Sequence, residues 1–192
     1  RTDGKKIGVG VACAVKNIGF GHGLREEAGA FVELDSAGCC RLLASQHDYG
    51  QGARAGLVQL VARELNLPAE RIEIIGPDTA LTPPTGSTTA SRQTFLTGNA
   101  VLKACRVLKE EIFHKAADIL DAEPEQLELY QDRVVDTATG REVPLAELGE
   151  RFVAEELYSA PRSAPLLEGE ASYYGKPAFE TRPPHWCYAY HT

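Results

Sequence analysis

Asp48-Tyr49-Gly50-Gln51-Gly52 opens the stretch DYGQGARAGLVQLVARELNLPAERIEII, residues 48–75, whose reading decides the fold. Two glycines flank a glutamine in a loop. Behind them Leu57, Leu60, Val61, Glu64 and Leu65 fall at helical spacing, which predicts an amphipathic helix over about 53–66. Pro68 ends it, and Arg71-Ile72-Glu73-Ile74-Ile75 reads as a short buried strand. Upstream, Ala28, Ala30, Val32 and Leu34 alternate with Phe31, Glu33 and Asp35. With the turn Asp35-Ser36-Ala37-Gly38 this predicts a hairpin over 28–46. Residues 5–20, with Val9, Val11 and Val15 at period two, read as one or two strands. Downstream, a Pro/Gly/Thr loop at 76–88 leads to a long helix from about Ala90 to Leu120, with Phe95, Leu102, Cys105, Leu108, Ile112 and Ile119 on one stripe. Glu123-Pro124 breaks it. Residues 127–130 and 133–136 read as a hairpin around Gln131-Asp132. A turn at 137–140 and a short helix at 145–154 follow. Beyond Tyr158 the periodicity fails, with one strand near 168–174 and strand-like Cys187-Tyr188-Ala189-Tyr190. The class is α+β: a two-layer mixed sheet with helices on one face, in the order strand-strand-helix-strand-helix-strand, plus an irregular C-terminal segment.

The 192 residues, 43% hydrophobic and 24% charged, suit one compact domain or one domain plus part of a second. A formal charge of −7 without a dense Lys/Arg stripe argues against nucleic acid. No apolar run approaches the ~20 residues that span a bilayer, and no signal region follows the polar start. Five cysteines without a C-x-x-C pair read as reduced thiols in a cytoplasmic protein and supply no iron–sulfur framework. Cys39 and Cys40 should face opposite ways along a strand. Five histidines without ligand spacing predict no metal site on protein ligands. Gly8-x-Gly10 and Gly19-Phe20-Gly21-His22-Gly23 lack the full dinucleotide-binding spacing, and read as tight backbone packing and a loop. A start without Met and an end inside an apolar run suggest a piece of a longer protein.

Chemistry is expected at two loops that each lead into a helix. In Tyr49-Gly50-Gln51-Gly52 the glycines let backbone approach a ligand, and Gln51 can donate and accept. The same pattern also reads as a plain strand-to-helix turn. In Thr85-Gly86-Ser87-Thr88-Thr89-Ala90-Ser91-Arg92-Gln93-Thr94 six of ten residues are hydroxylic. That run and Arg92 suit phosphate or pyrophosphate at a helix start, although Ser/Thr capping needs one of them. Both helix starts can lie at one edge of the sheet and together hold a long polyanionic ligand.

The joint pattern resembles the molybdenum hydroxylases, a family of xanthine dehydrogenases, aldehyde oxidases and carbon monoxide dehydrogenase. The matching pieces are Gly50-Gln51-Gly52, Leu65-Asn66-Leu67-Pro68, Ile72-Glu73-Ile74, Thr79-Ala80-Leu81-Thr82-Pro83, Thr89-Ala90-Ser91-Arg92 and Gly98-Asn99-Ala100. Lys16-Asn17-Ile18-Gly19-Phe20 and the 28–46 hairpin fit as well. The resemblance is good over 7–120. It implies a fragment of the molybdenum-cofactor-binding subunit of an enzyme that hydroxylates purines, other N-heterocycles or aldehydes with water-derived oxygen. The cofactor implied is molybdopterin with molybdenum, in the cytosine dinucleotide form that Arg-containing members often carry. Tyr49, Gly50, Gln51 and Gly52 would lie near the molybdenum end, and Ala90, Ser91, Arg92, Gln93 and Thr94 near its pterin or phosphate parts. Tyr49 stands where the family usually has Met. The family's Gln-Gly-Gly-Phe-Gly loop and its late Gly-x-Gly-Glu, which carries the catalytic base, are absent. Glu26-Glu27 and Glu155-Glu156 are outside that context and read as solvated surface charge. Residues 1–122 are accordingly expected to form a cofactor-binding domain with a partial site, and 123–192 a hairpin and connecting segment. This chain alone is expected to be inactive and free of cofactor. Its expected partners are the remaining segments of the subunit, iron–sulfur and FAD domains or subunits, and a small-molecule substrate. The alternative is a non-enzymatic module that binds phosphate, a nucleotide or a cofactor.

Overall fold

The structure, a computed structural model, describes residue 4 and residues 8–17, 26–160 and 186–191. Its central element is a four-stranded mixed sheet. Strand β2 (Glu27–Asp35) runs antiparallel to β3 (Cys40–Leu43), and β3 runs parallel to β4 (Ile72–Ile75). The predicted hairpin and its turn are there. Ala28, Ala30, Val32 and Leu34 are all fully buried. Helices α1 (Ala53–Leu65) and α2 (Gly98–Leu120) cover that face. Val32, Leu34 and Leu42 from the sheet, Leu57, Val61 and Leu65 from α1, and Val101, Cys105, Leu108 and Ile112 from α2 share one core.

Two helical expectations need correction. The chain enters the long helix through a π-helical turn, Gln93–Thr97, so α2 begins at Gly98. Its buried stripe runs through Ala104, Cys105, Leu108, Ile112, Ala116 and Leu120, while Ile119 is 52% exposed. The helix expected at 145–154 is one turn, α3 (Leu145–Leu148).

The fourth strand is β8 (Arg151–Ser159), antiparallel to β2 from Glu27↔Ser159 to Asp35↔Arg151. Phe152 and Ala154 point into the core at period two, and burial against β2 outweighs local helix propensity. The sheet therefore draws strands from both sides of residue 122. Strands β5 (Leu127–Tyr130), β6 (Arg133–Asp136) and β7 (Glu142–Pro144) form a separate antiparallel meander, with β5 and β6 where the sequence puts them. Strand β1 (Ala12–Asn17) pairs antiparallel with β9 (Trp186–His191). Val9 and Val11 lie outside β1 and are exposed, and among the described residues nothing packs against Gly8 or Gly10, so the tight packing expected of those glycines is not found there. Gly19–Gly23 and the strand expected at 168–174 lie outside the described residues.

Candidate functional site

At the carboxyl ends of the parallel strands β3 and β4 the chain leaves the sheet into two segments, 44–52 and 76–92. They are stitched together. Thr85 N–H donates to Ser45 Oγ at 2.9 Å, the two hydroxyls of Ser45 and Thr85 lie 3.0 Å apart, and His47 N–H reaches Thr88 Oγ1 at 3.3 Å. Thr85 is fully buried. The two loops singled out in the sequence thus lie side by side.

The first loop is organised by Asp48. Its carboxylate accepts from Gly50 N–H at 2.9 Å, Gly52 N–H at 3.2 Å and Arg54 N–H at 3.1 Å. These bonds, Arg54's first, hold the Asp48 carboxyl below its ordinary value. The loop uses the left-handed backbone of Gly50 (φ 100°) and Gly52 (φ 78°), the latter at the N-cap of α1, a conformation that favours glycine. A carboxylate of the chain itself already sits at this helix start, so the expectation of an anion there does not fit. Gln51 is folded onto its own loop: its Nε2 donates to the His47 carbonyl at 3.1 Å, and its Oε1 accepts from Tyr49 N–H. Tyr49 is 73% exposed, its ring stacked beside His47 at 6.3 Å between centroids. Arg54 fixes the loop to the end of β4, donating to the carbonyls of Gly76 at 2.8 Å and Ile74 at 2.6 Å.

The second loop is organised by Arg92. The sequence suggests a guanidinium offered to phosphate. In the structure it is turned inward and 1% exposed. Its Nε meets Glu26 Oε2 at 2.7 Å, Nη2 donates to the Glu27 carbonyl at 2.8 Å, and Nη1 donates to the carbonyls of Thr85 and Ser87. A buried cation needs such partners, and these carbonyls outcompete solvent. Glu26 is correspondingly no solvated surface charge, since only 10% of its side chain is exposed. Gln93 is also engaged, donating to the Gly86 carbonyl at 3.0 Å and accepting from Thr97 Oγ1 at 2.6 Å. The loop is pressed against β2, where Gly29 N–H donates to the Pro84 carbonyl at 2.9 Å. A Cβ on Gly29 would stand 2.8 Å from that of Pro83, so only glycine admits this approach.

With Arg92 and Gln93 facing inward, the accessible groups are the exposed Ser87, Ala90 and Thr94, the half-buried Thr88 and Thr89, and exposed Gln51. Ala90 holds a left-handed φ of 46°. Ser91 Oγ and Gln46 Oε1 are buried without a hydrogen-bond partner among the described residues. Hydroxyls, amides and two unsatisfied polar atoms fit a heterocyclic ligand with its own donors and acceptors better than a bare polyanion.

The family model of the molybdopterin cofactor-binding domain matches residues 1–192. The chain belongs to that family. This molybdopterin cofactor-binding domain is 34% identical, over 90% of its length, to the 6-hydroxypseudooxynicotine dehydrogenase complex subunit gamma of Paenarthrobacter nicotinovorans, and spans 21% of that protein. Xanthine dehydrogenase of Drosophila subobscura is 33% identical over 71% of the domain, which covers 10% of that chain. The domain therefore spans about a fifth of the first of these relatives and a tenth of the second. In fold it is similar to CO dehydrogenase from Oligotropha carboxidovorans, with a TM-score of 0.67 at 23% identity over 79% of this chain and 21% of that one. Aldehyde oxidoreductase from Desulfovibrio desulfuricans gives 0.65 at 24% identity over 94% and 17%.

Sequence reasoning found both loops of the domain. It missed Asp48, Glu26 and Ser45, which shape them, and the buried Gln46 beside the first. Asp48 had a signal: an Asp two residues before a glycine turn is a ready acceptor for the amides that follow. Glu26 had none, because its partner lies 66 residues away. Among the described residues no group of His, Cys, Asp or Glu could hold a metal ion, and no helix is long and apolar enough to cross a membrane.

Proposed function

We propose that this domain forms part of the molybdenum-cofactor-binding subunit of an oxidoreductase that hydroxylates purines, other N-heterocycles or aldehydes with water-derived oxygen. The observation that carries this reading is the pair of stitched loops, each with a buried polar atom awaiting a partner. When bound, molybdopterin would supply the two-electron chemistry. The domain's own residues would hold and orient it. Tyr49, Gly50, Gln51 and Gly52 would flank the molybdenum end. Ala90, Ser91 and Thr94 would contact the pterin or phosphate portions. Arg92 and Gln93 would act through the carbonyls of Thr85, Gly86 and Ser87, which they hold in place. The cofactor form is the cytosine dinucleotide. The cofactor would be enclosed from several segments of the subunit, so this chain alone would neither retain it nor turn over substrate. Electrons would leave toward iron–sulfur and FAD domains in a cytoplasmic enzyme. A phosphate-binding module without chemistry has less support, because Asp48 occupies the start of α1 and Arg92 faces inward.

The test uses the complete subunit with Ser91→Ala and Gln51→Ala, reading pterin retention and turnover per molybdenum. One hydrogen bond is worth about 0.5–1.5 kcal/mol, so Ser91→Ala should lose pterin about twofold to tenfold faster. Gln51→Ala should lower turnover per molybdenum with a smaller effect on retention. Unchanged retention and turnover in both variants contradict the reading.

A further inference from the structure

Cys40 and Leu42 on β3, and Ala44 and Gln46 just beyond it, are buried at every second position, each no more than 1% exposed. The first three are core residues. The buried series turns polar at Gln46, in the segment that follows β3 and leads into the first loop. An apolar side chain would continue the core there at no desolvation cost. Instead the chain buries a carboxamide whose Oε1 has no hydrogen-bond partner among the described residues. Such an atom loses its water and gains nothing in return. Its neighbours are the residues that join the loops, since Ser45 bonds Thr85 and His47 bonds Thr88. The other buried unpartnered side-chain atom among the described residues, Ser91 Oγ, lies in the second loop. The unpartnered atom is an acceptor, so its complement is a donor, such as the ring N–H of a cyclic amide.

We propose that Gln46 is a further recognition residue, hydrogen-bonding through its carboxamide to the amide edge of the pterin. The inference rests on the cofactor reading above and adds a contact that neither loop motif contains. In the cofactor-free protein Gln46 is a local flaw. In the loaded protein it is satisfied.

The experiment is Gln46→Leu in the complete subunit, with Gln46→Met as a second, unbranched variant of similar length. Two quantities are measured: the melting temperature of cofactor-free protein, and the half-life of bound pterin by fluorescence after release. Cofactor-free Gln46→Leu should melt at or above wild type while pterin is lost about tenfold faster. Lowered melting, with or without faster loss, marks a packing role and overturns the proposal, as does unchanged loss. If Ser91→Ala and Gln51→Ala retain their effects while Gln46→Leu has none on pterin, this inference alone fails. If all three leave the cofactor untouched, the cofactor reading fails with it.

Discussion

Arg92 and Glu26 meet at 2.7 Å, Nε to Oε2, across 66 residues of sequence. The pair joins the loop before α2 to the residue that precedes β2, with 2% and 10% of the two side chains exposed. Removing one partner of a buried ion pair costs about 3–5 kcal/mol. Glu26→Ala should be destabilised by an amount in that range. Arg92→Met should be destabilised as well, because it takes the guanidinium from Glu26, 10% exposed, and releases the carbonyls of Thr85, Ser87 and Glu27. The double variant should be far less destabilised than the sum of the two. Denaturant unfolding of the four proteins measures this. Strict additivity would show that the pair does not couple.

Asp48 gives the structure a dependence on acid. Its folded value lies below the ordinary one, about 3.9 for Asp, chiefly through the bond from Arg54 N–H and then that from Gly50. A depressed folded value contributes stability that is present above the unfolded value and lost as pH falls through the folded one. At pH 7, Asp48→Asn should melt below wild type. The gap should close as the pH is lowered below the ordinary carboxylate range, where wild-type Asp48 also becomes neutral. A gap that is constant from pH 7 to pH 3 would show that the charge is not what holds the loop.

The thiols should separate by exposure. Cys39 is exposed, whereas Cys40 is buried and pushed up to about 12, mainly by desolvation and then by the nearby Glu33 and Asp35 charges. Burial raises Cys105 in the same direction. The thiolate is the reactive form. Alkylation of native protein at pH 8, followed by peptide mapping, should label Cys39 and spare Cys40 and Cys105 until denaturant is added. Equal labelling of Cys39 and Cys40 would contradict the exposure of the one and the burial of the other.

Much of the fold was legible because burial follows local periodicity. The 28–46 hairpin and the 53–66 helix show their apolar spacing directly, and the 127–136 hairpin shows its turn residues. Strand β8 was not legible. Glu155 and Glu156 interrupt its apolar pattern, and its pairing with β2 is a contact over more than a hundred residues that no local window contains. The site divided in the same way. Glycines and hydroxyls marked both loops, but the direction of a side chain depends on distant partners. Arg92 reads as a phosphate ligand until Glu26 is known to face it. Gln46 reads as an ordinary polar residue beside a loop until its burial is known.

The central claim is that the two loops together hold molybdopterin. The most direct measurement is amide hydrogen exchange on the complete subunit, loaded and cofactor-free. Peptides covering residues 45–52 and 85–94 should both gain protection on loading, while the meander at 127–144 should not change. Loading that leaves the exchange of both loop peptides unaltered would contradict the claim.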